Sequence, residues 1–445
     1  MGMPVVDTGL LGPDEEPRVS RRYAWLVFAL SFGLLLSDYM SRQVLSAVFP
    51  LLKVDWGLSD ARLGLLSGVV ALTVGVLTFP LSVAADRFGR VRSLITMALL
   101  WSLATLGCAL ANDYGQMLLA RFCVGVGEAA YGSVGVAVVL SVFPRRMRAA
   151  LSGSFMAGGA FGSVLGMALG GQVAAHFGWR WAFAAMALFG LALALAYRIW
   201  VTEERLSAKR GGLPGAPGMP AVPLRRLVPE LFGSKAIACA YVGSALQLFV
   251  MAAMIAWLPS YMNRQYGLAT AQAAGRAAVF VLIGGVGMVA CGALADRLAL
   301  RDASRKWMAA IGFSLVSCVC LGAGFRMAPG GAQLLMLALG MFVAGGTAGP
   351  AVAMVGNLTK TSIHATAFGT LTLVNSLLGL GPGPWLTGVL ADRIGLAGAM
   401  QTVPLVSLLA VGAFVLGWRH YPRDLQRLAA QADPVEPVAQ AVPAR

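Results

Sequence analysis

The chain has 445 residues, of which 58% are hydrophobic and only 12% charged, a balance that a soluble protein of this length can hardly carry. Its formal net charge of +15 invites a nucleic-acid partner, but the basic residues sit in alternate short connections between apolar stretches, which excludes that reading. Twelve such stretches, each long enough to cross roughly 30 Å of hydrocarbon, organise the chain. Backbone facing lipid must satisfy its own polar groups, so the stretches read as helices; the shorter alternating strands of a barrel are not seen.

In chain order, residues 1–22 form an N-terminal segment, polar and acidic up to Glu16, without the apolar core of a signal peptide. Spans follow at 24–49, 61–84, 93–111, 116–143, 150–172 and 180–200, making a first bundle over 23–201. Residues 202–235 are one long connection whose run Pro214-Gly215-Ala216-Pro217-Gly218-Met219-Pro220 cannot sustain a helix. A second bundle over 236–420 holds spans at 236–260, 273–295, 307–326, 332–357, 365–390 and 398–418. Residues 421–445 read as a disordered tail.

Arg18, Arg21 and Arg22 precede the first span; Arg87, Arg90 and Arg92 fill the second connection, and Arg145, Arg146 and Arg148 the fourth. Arg297, Arg301, Arg305 and Lys306 fill the eighth, whereas Asn112-Asp113-Tyr114 in the third carries no base. The pattern puts both termini in the cytoplasm, and assigns the excess charge to topology and anionic lipid. Trp25, Trp56, Trp179, Trp181, Trp200, Trp257, Trp307 and Trp418 lie near span ends, where indoles anchor at headgroup level. The six cysteines lack redox or zinc spacing and read as small packing residues.

One motif occurs twice. Ala85-Asp86-Arg87-Phe88-Gly89-Arg90 is echoed by Leu294-Ala295-Asp296-Arg297, the aspartates being 210 residues apart. Gly171 and Phe177-Gly178 line up with Gly388 and Ile394-Gly395, each 217 residues on. Two related halves in one apolar chain mark a secondary transporter with a site near the membrane midplane. Span 5 carries Gly158, Gly162, Gly166 and Gly170 on one face, and Gly379 and Gly383 match two of these, so close helix packing is expected at both places.

Asp38, Arg42, Arg121 and Glu128 lie well inside spans. Each costs roughly 2.5–3.5 kcal/mol at mid-helix before pairing, so a function is expected of them. Asp38 and Arg42 are i,i+4 neighbours, and Arg121 stands two turns from Glu128 on one face. The second half has no matching charges; it offers Gln247, Asn375, the bendable Gly345-Gly346-Thr347-Ala348-Gly349-Pro350, and Gly381-Pro382-Gly383-Pro384. His176, His364 and His420 read as interfacial. No phosphate-binding loop, activated nucleophile or metal-spaced cluster is seen, so no cofactor and no enzymatic activity are expected and an ion gradient drives the protein.

Six spans plus six, the long central connection and the loop motif together resemble the major facilitator superfamily over roughly residues 20 to 420. That family's loop motif runs Gly-x-Leu-Ala-Asp-Arg-x-Gly-Arg; here Ser82 and Ala84 depart from its start, while Gly292-Ala293-Leu294-Ala295-Asp296-Arg297 restores the start and loses the later glycine. The resemblance implies an all-α fold of two pseudo-symmetric six-helix bundles and alternating access, with Asp86, Arg87, Gly89, Arg90, Asp296 and Arg297 as gating residues. Asp38-Tyr39-Met40-Ser41-Arg42, Gly127-Glu128-Ala129-Ala130 and Gly178-Trp179-Arg180-Trp181 further resemble anion:cation symporters and spinster-like carriers, with Ser41 where those have an acid. In the family, spans 1 and 4 line the central cavity.

The expected function is proton-coupled symport of a small organic anion, a carboxylate or sulfonate, by a monomer. Arg42 is the leading substrate ligand, with Asp38, Arg121, Gln247 and Asn375 beside it. Glu128 or Asp38 carries the proton. The alternative is a spinster-like carrier or proton-driven exporter of a lysolipid or hydrophobic drug. A non-transporting membrane sensor would need an added soluble domain.

Overall fold

The computed structural model describes residues 19–144, 147–203, 231, 233–300, 302–360 and 363–431, with the side chains of Asp86, Arg148, Ala149, Ala365 and 429–431 outside that description. Most of the 202–235 connection, and Arg145, Arg146 and Arg301, also lie outside the described residues. The first half comprises α1 (Arg21–Trp56), α2 (Asp60–Phe88), α3 (Arg90–Leu110), α4 (Tyr114–Glu128), α5 (Tyr131–Val142), α6 (Arg148–Phe177) and α7 (Trp179–Trp200). The second comprises α8 (Lys235–Tyr266), α9 (Thr270–Leu298), α10 (Arg305–Gly324), α11 (Gly331–Ala344), α12 (Ala348–Asn357), α13 (His364–Val374), α14 (Pro382–Thr402) and α15 (Val406–Gln431). α4 with α5 make the fourth crossing, and α11 with α12 the tenth, so each half crosses the membrane six times and the chain is a multi-pass, all-α membrane protein.

Local chemistry sets these boundaries. Ser20, Ser59, Asp113 and Ser234 cap α1, α2, α4 and α8 by accepting from a backbone N–H three residues on. α1 and α8 both stop at a left-handed glycine, Gly57 (φ 60°) and Gly267 (φ 62°). Gly178 (φ 89°) and Gly395 (φ 75°) turn the fifth crossing into the sixth and the eleventh into the twelfth, the latter turn falling inside α14. The internal repeat is thus written into the backbone.

The glycine rows do the packing expected of them. An added Cβ at Gly162 would lie 2.5 Å from Leu36 O, one at Gly166 2.5 Å from Met40 Cα, and one at Gly170 2.7 Å from Val44. Residues four apart on α6 therefore sit on residues four apart on α1, and the two backbones touch. In the second half, Gly379 and Gly383 press on Ala245 O and Phe249 O of α8 in the same manner.

The halves meet on the side away from the arginine-rich connections. Along α2, Gly64 abuts Pro384, Gly68 abuts Gly381 and Gly75 abuts Ser376, while Gly171 of α6 abuts Ala274 of α9. The same face of α2 continues through Phe79 and Val83, which are 64% and 40% exposed. On this face of α2 the close backbone approach to the other half lies at Gly64, Gly68 and Gly75, on the far side. The far-side seam also carries charge: Asp60 binds Lys53 (2.6 Å) and both terminal nitrogens of Arg264 (2.8 and 2.7 Å), and Asp392 accepts from Asp60 N and Ala61 N.

Two expectations are corrected. Residues 421–431 are not a disordered tail but the end of α15, because Tyr421 is buried among Trp307 and its neighbours and Asp424 accepts from Ser234 Oγ (2.7 Å) and Ala236 N (3.0 Å) at the start of α8. Trp179, Trp257 and Trp307 are buried instead of standing at headgroup level; Trp257 donates to Pro384 O (2.9 Å) and packs on Phe49 across the seam. Trp25, Trp181, Trp200 and Trp418 remain exposed.

Candidate functional site

α1 carries Asp38, Ser41 and Arg42 on its face toward α4, and the contact of Met40 with Gly166 on its opposite side fixes that orientation. Glu128 is the last residue of α4, where the fourth crossing breaks at Ala129–Ala130. The break is held by Thr78 Oγ1 on Ala129 O (2.8 Å), and Tyr131, stacked edge-on with Trp101, donates to Ser31 O (2.7 Å). Gly125 and Gly127 let α4 settle against Thr73 of α2 and the backbone of Trp101, which draws Glu128 inward.

There Arg42 meets two acids. Its Nε donates to Asp38 Oδ1 (3.2 Å) and lies 2.7 Å from Glu128 Oε2. The N–H points at Asp38, so Glu128 Oε2 has a charge contact but no hydrogen bond. Ser41 Oγ stands 2.7 Å from Asp38 O and 3.3 Å from Glu128 Oε1, one hydroxyl between two acceptors. The side chains of Asp38 and Glu128 are buried; that of Arg42 is 20% exposed, its guanidinium 5.3 Å from the centre of the Tyr39 ring.

Arg121, two turns from Glu128, does not reach it as an ion pair. It is buried and spends Nη1 on Ser41 O (3.0 Å) and Nε on Leu66 O (3.3 Å), tying α4 to α1 and α2 behind the acids. In the second half, Gln247 is buried, its Nε2 directed at Ala344 O (3.4 Å) and its Oε1 without a protein partner; half-buried Asn375 likewise leaves Oδ1 unbonded. Both stand beside irregular backbone. A 3-10 turn at Gly345–Thr347 splits the tenth crossing, and Asn375 opens a π-helical segment running to Leu380 in the eleventh.

The loop motif is arranged differently at Asp86–Arg90 and at Asp296–Arg297. Gly89 (φ 97°) ends α2, and Glu203, which the sequence does not single out, caps α3 by accepting from Arg90 N (3.2 Å) and Val91 N (2.9 Å). Arg87 is exposed, and the Asp86 side chain lies outside the described residues. Asp296 pairs with Lys306 of its own half (2.9 Å), and Arg297 is exposed. His176, His364 and His420 each bond a nearby backbone carbonyl, and all six cysteines are free.

Two six-crossing halves, the first holding a buried charge cluster, define a membrane transporter, not an enzyme. The chain belongs to the Major Facilitator Superfamily, whose family model matches residues 31–382. It is 29% identical to a gallate transporter of Pseudomonas putida over 70% of this chain and 73% of that one. A hexuronate transporter of Bacillus subtilis (strain 168) is 23% identical over 80% and 86%. In fold it is similar to a bacterial homologue of the human lysosomal transporter spinster, solved inward-facing and unoccupied: TM-score 0.82, 20% identity, 91% of this chain and 99% of that one.

Proposed function

We propose that the protein is a proton-coupled symporter of a small organic anion, seated in a bacterial inner membrane with both termini and the arginine-rich connections in the cytoplasm. The observation that carries this reading is Arg42, a partly exposed guanidinium whose Nε alone is engaged by Asp38 and Glu128. The terminal nitrogens remain for a carboxylate or sulfonate, which their fork geometry suits. The gallate and hexuronate carriers among its relatives are named for carboxylates.

Charge arithmetic couples the proton to the anion. Arg42 and Arg121 against Asp38 and Glu128 make a neutral cluster, and one added proton makes it positive. An anion then enters a site of matching charge, and by linkage each ligand raises the affinity for the other. Glu128 Oε2, buried and without a hydrogen bond, is the atom that takes the proton when the incoming anion draws Arg42 away. Gln247 and Asn375 supply neutral acceptors from the second half, and the gating role of the loop motif follows from its place at the arginine-rich side.

The test is proton flux in proteoliposomes carrying an internal pH dye, with small carboxylates and sulfonates screened beside lysolipids and cationic drugs. Acidification driven by a small anion, and lost in Arg42→Ala, is the expected result. A response to amphiphiles alone would replace this reading with that of a spinster-like carrier or exporter.

A further inference from the structure

The first N–H groups of a helix have no partner inside it. At the start of α2 two of them are taken by a residue of the other half: Asp60 N donates to Asp392 Oδ1 (2.7 Å) and Ala61 N to Asp392 Oδ2 (2.9 Å). The next free one, Arg62 N, goes to Ser59 Oγ. A carboxylate placed there also meets the positive end of the helix dipole. Gly388, one turn before Asp392, is what permits the approach, since a Cβ at that position would collide with the backbone of Asp60 and Ala61.

The sequence around Asp392 carries its own signal. Gly388-Val389-Leu390-Ala391-Asp392-Arg393-Ile394-Gly395 fits Gly-x-Leu-Ala-Asp-Arg-x-Gly at every position, more fully than residues 82–89 or 292–299. This third copy lies on the opposite side of the membrane from the other two. We infer that Asp392 is a gating residue: it closes the far side by capping α2 in trans, and it lets go when the carrier opens to that side. The reading needs only a carrier that alternates, whatever its substrate or coupling ion.

Two features make the contact a latch and not a fixed strut. Asp392 is exposed at the rim, so water replaces its bonds when the halves part and no buried charge is stranded. The second tie at the same point, the bidentate bond of Arg264 to Asp60, also joins the two halves, so both break in one movement.

Hydrogen–deuterium exchange of the purified full chain in nanodiscs reads this directly. Asp392→Ala is expected to raise exchange over residues 58–66 by about tenfold, the scale of losing a charge at a helix N-terminus together with its bonds. Residues 82–92 become more protected at the same time, because a carrier released on one side closes more often on the other. Asp392→Asn, which keeps the shape and one acceptor, shifts both regions the same way by less, and Arg393→Ala leaves them unchanged. Unaltered exchange over 58–66, or a rise spread over the whole chain, would overturn the assignment.

Discussion

Arg42 on α1 and Glu128 on α4 stand 2.7 Å apart with no hydrogen bond between them, because the Nε–H they share a line with is given to Asp38. One guanidinium thus holds two acids unequally. In the proposed mechanism that inequality separates the roles: Asp38 keeps Arg42 in place, and Glu128 exchanges its charge contact for a proton.

Arg42→Lys is expected to abolish anion uptake while leaving the melting temperature of the purified carrier unchanged. An ammonium can pair with Asp38 but has no fork for a planar anion. Losing charged hydrogen bonds of this kind lowers affinity by about 10–100-fold. Binding measured by calorimetry and uptake in proteoliposomes check it; wild-type rates would remove Arg42 from the site.

Glu128→Gln removes the proton site and preserves the shape and the acceptor for Ser41. Substrate exchange across a vesicle membrane should continue, and proton movement accompanying net uptake should stop. Parallel counterflow and pH-dye assays separate the two, and proton coupling that persists in this variant would move the role to Asp38.

Arg121→Ala has a different signature. It removes two charge-assisted hydrogen bonds that tie α4 to the backbones of α1 and α2, at a cost of about 1.5–3 kcal/mol each. The expected outcome is a clear fall in melting temperature, larger than that of Arg42→Lys. A variant as stable as the parent would show that those bonds are dispensable.

Gly166→Val should prevent assembly of the first half, since the contact it crowds is the backbone at Met40 and no side chain can yield. Gly383→Val should do the same in the second half through Phe249 O, whereas Gly369→Ala, with open space around it, is silent. Yield of monodisperse protein after size exclusion is the readout.

Much of this was legible in the order of residues. Apolar length gave the twelve crossings, and the spacing of Asp38 and Arg42 gave their pairing, because both depend on neighbours along one helix. The bend expected at Gly345–Pro350 is the 3-10 turn that splits the tenth crossing. Arg121 shows the limit. Helical periodicity put it on the face of Glu128, but in a bundle packed this closely the nearest acceptors are carbonyls of α1 and α2, which no one-dimensional pattern reveals. Lys53, Asp60, Arg264 and Asp392 went unremarked for the same reason, since their bonds join residues up to 332 apart. The one available clue was the third copy of the loop motif. Trp257 and Trp307 sit near span ends, yet the ends of α8 and α10 are covered by neighbouring helices, so burial overrode the usual interfacial preference.

The chain keeps its charge chemistry in α1 and α4, whereas the 3-10 turn and the π-helical segment lie in the tenth and eleventh crossings. In the proposed mechanism, what powers the cycle and what bends around the cargo belong to different halves. On that reading, substitutions near Gln247 or Asn375 are expected to retune which molecule is accepted without disturbing the pairing of proton and guanidinium. A carrier divided this way can change its diet and keep its engine.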